Sequence, residues 1–127
     1  MDRILLIHSD PKAADGLTFV LQRSGLGVVT VADGQQALTE INRIEPDLIV
    51  MAEALAKMNM QIRQICEAPI IILGEDKEER ARIHFLESGA DVYMTHPFNL
   101  RLLLAWIHSL LRRSKGIGKT EGSDVYG

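Results

Sequence analysis

The chain reads as an α/β protein, a doubly wound five-stranded parallel sheet with five helices, and three observations predict it. Short apolar runs rich in branched residues recur along its 127 residues, with Ile4-Leu5-Leu6-Ile7, Leu48-Ile49-Val50-Met51 and Ile70-Ile71-Ile72-Leu73 the plainest. These runs are continuous in apolar character, as strands buried on both faces of a sheet are. The stretches between them carry apolar residues at helical spacing, and strands alternating with helices imply a parallel sheet covered on both faces.

Each element follows from local signals. After the first strand, Ile4 to Ile7, comes His8-Ser9-Asp10-Pro11, where Asp10 or Ser9 can cap a helix and Pro11 fits its first turn. That helix is expected from about Lys12 to Ser24, with Ala14, Leu17, Val20 and Leu21 inward and Gly25 as the left-handed residue at its end. Gly27 to Val31 is the second strand. Asp33 then caps a helix from about Gly34 to Arg43, with Ala37, Leu38 and Ile41 as its inner face and Pro46 closing it. The stretch from Pro46 to Glu53 holds the central strand and delivers Ala52 to the rim of the sheet.

Past Ala52 the segment Glu53 to Met60 has no clean period, and a short third helix is placed at Gln61 to Cys66. Pro69 to Leu73 is the fourth strand, and Lys77 to Ser88 is a charged helix closed by Gly89. Asp91 to Met94 is a short fifth strand, Thr95-His96-Pro97-Phe98 turns the chain, Asn99 caps, and the last helix runs from Leu100 to about Arg113. Residues 114–127 turn to Gly, Ser, Lys and Thr without an apolar period. They read as a flexible tail or linker, which leaves residues 1–113 as the domain.

Composition narrows the function. One compact domain fits this length, and a formal charge of -3 with a pI near 5.8 supplies no basic field for nucleic acid, so direct binding by this domain is not expected. Cys66 is the single cysteine, which rules out an internal disulfide and a multi-cysteine metal cage. No apolar run approaches a membrane span, and the N-terminus enters a strand without the long apolar block of a secretory signal. A cytoplasmic domain is expected.

In a doubly wound sheet, ligands sit at the carboxyl ends of the strands. Those ends are His8 and Ser9, Ala52 and Glu53, Gly74 and Glu75, and Thr95 and His96. Alanine offers no nucleophile, no metal ligand and no proton to move, so Ala52 cannot react. No nucleophile and base pair stands at the rim, Ser9 beside His8 lacking an orienting acid, and no enzyme activity or cofactor is expected.

The runs Pro46-Asp47-Leu48-Ile49, Gly89-Ala90-Asp91-Val92-Tyr93-Met94-Thr95-His96-Pro97-Phe98 and Leu110-Leu111-Arg112-Arg113 resemble the receiver domains of bacterial two-component response regulators, over residues 3–113. The fifth-strand run is the specific part. The resemblance implies a flavodoxin-like receiver fold and lies closest to the winged-helix transcription-factor branch. In that family two acids after the first strand hold Mg2+, an aspartate ending the third strand accepts phosphate, a Ser or Thr ends the fourth, and a lysine precedes the Pro-Phe pair. Here these positions are His8 and Ser9, Ala52, Gly74 and His96, while Tyr93 keeps the aromatic that reports the switch. Such a chain is expected to be an atypical, phosphorylation-independent receiver, a pseudo-receiver. Glu53, one residue past Ala52, is expected to point another way and not to substitute for the aspartate.

The same resemblance implies a pairing surface on the fourth helix, fifth strand and fifth helix. The family's charged positions there are Val92, Leu102 and Trp106 in this chain, with Arg82 still basic and Leu86 still apolar. On the last helix, Leu103, Ile107 and Leu110 form the stripe facing the sheet, and Leu102 with Trp106 form a second stripe about 100° away. Trp beside Leu is the residue type that anchors interfaces. A homodimer through Arg82, Leu86, Val92, Leu102 and Trp106 is therefore expected, together with a protein partner or tethered DNA-binding output domain. The alternative is a metal or ligand sensor with a pocket at His8, Ala52 and His96. Two imidazoles without a third ligand usually fill a disused pocket and do not bind a metal, so no metal is assigned.

Overall fold

The computed structural model describes residues 1–75 and 77–115. Five strands, β1 (Arg3–Ile7), β2 (Gly27–Val31), β3 (Leu48–Ala52), β4 (Ile70–Gly74) and β5 (Val92–Thr95), form one parallel sheet in the order β2-β1-β3-β4-β5. Five helices alternate with them: α1 (Pro11–Arg23), α2 (Gly34–Ile44), α3 (Asn59–Ile65), α4 (Glu79–Glu87) and α5 (Leu100–Ser114). The fold is the expected one. The strand order reverses at β1 and β3, so the crevice at their carboxyl ends is the site such sheets reserve for ligands.

The cores follow from the alternation of side chains along each strand. Ile4, Leu6, Leu48, Val50, Ile71 and Leu73 pack with Leu17 and Leu21 of α1 and Leu103 and Ile107 of α5. Their neighbours Leu5, Ile7, Ile49, Met51, Ile70 and Ile72 pack on the other face with Ala37 and Ile41 of α2 and Ile62 of α3. β3 lies in the middle, with Leu5 opposite Ile49 and Val50 opposite Ile71, and Leu48 to Met51 have no exposed surface. Burying each such side chain contributes about 1.5–3 kcal/mol, so this strand, like β1 and β4, is held chiefly by its apolar side chains.

Helix ends fall where the capping residues stand. The Asp10 carboxylate accepts from Lys12 N–H at 3.1 Å, Asp33 from Gln36 N–H at 2.7 Å, and Asn99 from Arg101 and Leu102 N–H at 2.8 and 3.1 Å. Each satisfies a donor that the first turn leaves without an intrahelical partner. Gly25 and Gly89 follow α1 and α4 with φ of 87° and 123°, a region that glycine enters without strain.

Two stretches differ from expectation. Residues Glu53–Met58 form a 3₁₀ helix that runs into α3 at Asn59, earlier than the Gln61 expected. This turn has no period of its own because tertiary contact holds it: Ala56 is buried, and the Met58 side chain lies over Gly34 where a Cβ would overlap it. The charged fourth helix is shorter than expected, Glu79–Glu87, and contains no fully buried residue, with Ala81 and Phe85 half-buried against the sheet. The expected tail, residues 114–127, lies outside the described residues from 116 onward, α5 ending at Ser114.

One side chain fastens this half of the molecule. Arg63 on α3 donates to the carbonyls of Cys66 and Ala68 at 3.2 and 2.8 Å, and to Gly89 O at 3.0 Å. It thereby ties the α3–β4 connection to the turn between α4 and β5.

Candidate functional site

The rim is built by the loops after β1, β3, β4 and β5. After β1, the His8 imidazole accepts the Asp10 N–H through Nδ1 at 3.1 Å, while the Asp10 carboxylate is turned to the start of α1 as its cap. The acid remaining in this loop is thus engaged with the helix. After β5, His96 lies against the Phe98 ring with centroids 4.6 Å apart, and its Nε2 is 3.9 Å from a Glu75 carboxylate oxygen. The His96–Pro97 peptide is cis. His8, Asp10, Glu75, His96, Leu17 and Phe98 share one open cavity of about 630 Å³.

Ala52 does not line that cavity, so the structure does not gather His8, Ala52 and His96 around one space. The methyl group of Ala52 ends β3 half-buried. Among the described residues no three His, Cys, Asp or Glu side chains are grouped to hold a metal ion. A sensor at these three residues has no support in this geometry.

Glu53 corrects the sequence reading. It does not point away from the strand ends: because the chain enters a 3₁₀ turn directly after Ala52, its carboxylate swings across the end of β4. There Oε1 accepts the Tyr93 hydroxyl at 2.7 Å and the Glu75 N–H at 2.7 Å. The ring of Tyr93 is 5% exposed and stacks on Phe85 of α4, with centroids 5.5 Å apart and planes 9° from parallel. No local pattern in the sequence signals this arrangement, since Glu53 opens the 3₁₀ helix, Gly74 ends β4 and Tyr93 lies within β5.

The second candidate surface lies on α4, β5 and α5. Arg82, Leu86, Val92, Leu102 and Trp106 all line one groove of about 480 Å³, with Tyr93 in its wall. All five residues expected to form a partner surface are therefore brought together. Leu102 is 50% exposed, Leu86 38%, and Trp106 half-buried. Val92 needs a correction: at 6% exposure it is the floor of the groove and part of the α5-side core, because its position in β5 turns it inward. Leu102 is free of the core because Leu103 and Ile107 occupy the sheet-facing side of α5.

Comparison with known proteins agrees with this geometry. The family model described as response regulator receiver domain matches residues 4–108. The chain is 35% identical over 118 residues to the DNA-binding response regulator MtrA of Mycolicibacterium smegmatis, covering 89% of this chain and 52% of that protein. It is 37% identical over 119 residues to the alkaline phosphatase synthesis transcriptional regulatory protein PhoP of Bacillus subtilis, covering 89% of this chain and 50% of that one. The chain thus spans about half the length of these relatives. Among solved structures, a Francisella response regulator receiver domain superimposes with a TM-score of 0.85 at 27% identity, covering 90% of this chain and 99% of that one. The BeF3-activated receiver domain of Klebsiella pneumoniae RstA does so with a TM-score of 0.83 at 25% identity, covering 87% and 99%. With strand order, fifth-strand run and family match in agreement, the chain belongs to the response regulator receiver domain family.

Proposed function

We propose that this receiver signals without phosphorylation, as a regulatory interaction module that pairs with a second copy through α4, β5 and α5. The observation that carries this reading is the residue set at the rim: Ala52 ends β3, with His8 and Ser9 after β1, Gly74 at the end of β4 and His96 after β5. Aspartyl phosphorylation needs a carboxylate nucleophile and a divalent cation held by hard oxygen ligands. Neither is offered here. Asp10 caps α1, and the Glu53 carboxylate is bound by Tyr93 and the Glu75 N–H. Incubation with acetyl phosphate and Mg2+ followed by intact mass tests the reading. An unchanged mass is expected, and a phosphorylated species overturns it.

Pairing is supported by the replacement of charge by apolar surface on one face. Leu102, Leu86 and Trp106 flank one groove, and their burial against a second copy would contribute about 25 cal/mol per Å² of apolar area. Light scattering at tens of micromolar tests it, with Trp106→Glu as the disrupted control; a monomeric wild type sinks it. Because the relatives extend to about twice the matched length and carry names such as DNA-binding response regulator, the domain in its native setting is proposed to control a tethered DNA-binding output domain in the cytoplasm. Among the described residues no helix is long and apolar enough to cross a membrane.

A further inference from the structure

Asn59, the first residue of α3, is the one fully buried polar side chain among the described residues, at 1% exposure. Its Nδ2 donates to the Ser88 hydroxyl at 3.2 Å and to the Phe85 carbonyl at 3.5 Å. The Ser88 hydroxyl donates in turn to the same carbonyl at 3.1 Å. That bond commits the hydroxyl proton, so Ser88 accepts from Asn59, and a reversed amide would set its oxygen against the Phe85 carbonyl. The amide orientation is therefore fixed. It leaves Oδ1 buried with no hydrogen-bond partner among the described residues, a condition that folded proteins rarely tolerate without a reason.

Asn59 also lines a cavity of about 610 Å³ in the cleft between the 3₁₀ helix, α3 and α4, within the range of small-molecule sites. With Nδ2 held on α4, the other arm of the amide is the one left to this cleft. Ala54, Ala56, Met60 and Phe85 supply an apolar wall, and Met60 stands 59% exposed. The Glu53 and Glu75 carboxylates line the same space, and Glu53 is held in place by the Tyr93 hydroxyl and the Glu75 N–H on its Oε1. The Asn59 carbonyl and both carboxylates are acceptors only. Lys57 and His84 complete the lining, and both are exposed, so their polar ends can stay in water.

We propose that this cleft binds a small primary amine carried on an arylalkyl body, its ammonium donating to Asn59 Oδ1 and Glu53 and its ring lying against Ala56, Met60 and Phe85. An ammonium offers donors and no acceptor, which is the complement of this set of polar groups. Facing two carboxylates, its hydrogen bonds are charge-assisted. The ammonium is also the narrow end of such a ligand, as Oδ1 requires, since that atom has no surface open to bulk water. The unbranched side chain of Met60 can turn aside to admit it. A lone water would satisfy Oδ1 but would leave the apolar wall uncovered. This cavity shares no lining residue with the groove of α4, β5 and α5. Its occupancy depends neither on pairing nor on the absence of phosphorylation.

Titration of the whole chain with phenethylamine, followed by calorimetry and by amide nitrogen–proton correlation spectra, tests the site. Phenethyl alcohol, hydrocinnamate and ethylamine serve as comparisons. Phenethylamine is expected to saturate one site and to shift the amides of Ala56, Asn59, Met60, Phe85 and Ser88. Phenethyl alcohol lacks the charge and ethylamine lacks the ring, so each should bind about tenfold more weakly, and hydrocinnamate should not bind. Glu53→Gln and Asn59→Ala should each weaken phenethylamine about tenfold, the factor of one charge-assisted hydrogen bond. Met60→Trp, which fills the cavity from an exposed position, should abolish the shifts. If Asn59→Ala gives no cooperative thermal transition, Glu53→Gln and Met60→Trp decide. No saturable binding of phenethylamine at millimolar concentration overturns the proposal. Equal affinity for ethylamine does so too, since it reports only a cation drawn to exposed carboxylates. Equal affinity for phenethyl alcohol overturns the choice of an amine, and shifts confined to other parts of the chain overturn its placement.

Discussion

The guanidinium of Arg63 lies 3.2 Å from the carboxylate of Asp91, and the same carboxylate oxygen accepts the Ile70 N–H at 2.8 Å. Asp91 thus connects the first residue of β4 to α3. Arg63 also serves three backbone carbonyls, those of Cys66, Ala68 and Gly89, which come from two turns distant in sequence. Part-buried carbonyls that lose their donor retain the cost of desolvation, so Arg63→Ala is expected to destabilise the domain by about 2 kcal/mol. In thermal unfolding this is a fall in Tm of about 10 °C. Arg63→Lys should recover only part of it, since one ammonium cannot span both turns.

At the start of α5, Asn99 accepts two N–H groups of the first turn. Asn99→Ala should cost about 1 kcal/mol, and Asn99→Asp or Asn99→Ser should cost much less. The measurement is chemical denaturation with unchanged slope. A larger loss, or a changed slope, would mean that the turn after β5 is doing more than capping.

On the phosphorylation-independent reading proposed above, adding one carboxylate should not confer phosphorylation. Ala52→Asp supplies a carboxylate at the end of β3, yet His8 and Ser9 still lack the hard oxygen ligands for Mg2+, and Asp10 remains engaged as a cap. Intact mass after treatment with acetyl phosphate is expected to show no adduct for Ala52→Asp. An adduct on Ala52→Asp alone would show that acids at positions 8 and 9 matter less than the nucleophile.

On α5, Leu102 and Leu103 are adjacent and should behave oppositely. Leu103 is buried in the core and Leu102 is half exposed on the groove. Leu102→Ala is expected to change unfolding free energy by under about 0.5 kcal/mol while weakening self-association in sedimentation velocity. Leu103→Ala should cost about 2–5 kcal/mol of folding stability whatever the oligomeric state. Equal stability losses at the two positions would show that Leu102 is core and not interface.

Much of the fold was legible because its signals are local. Continuous apolar runs marked the strands, and Asp10, Asp33, Asn99, Gly25 and Gly89 marked helix ends that the structure places within a residue or two. Of the five groove residues, Leu102 and Trp106 were legible through the second stripe of α5, and Arg82, Leu86 and Val92 only through the family resemblance. What was not legible depends on contacts distant in sequence. The 3₁₀ helix after β3 is held by Met58 against Gly34, and the direction of Glu53 follows from that turn. Arg63 could not be singled out because its acceptors lie at residues 66, 68, 89 and 91. The burial of Val92 follows from strand alternation, which places it on the α5 side while its neighbour Tyr93 faces α4.

The central position of β3 has a consequence for how such a protein can change. Leu48 to Met51 are enclosed by both neighbouring strands and both helical layers before Ala52 is reached. Chemistry at the tip of this strand is consequently decoupled from the cohesion of the molecule. Side chains at the tip of β3 can therefore be exchanged without disturbing this core, whereas any side chain at the tip of β4 would meet the Tyr93 ring.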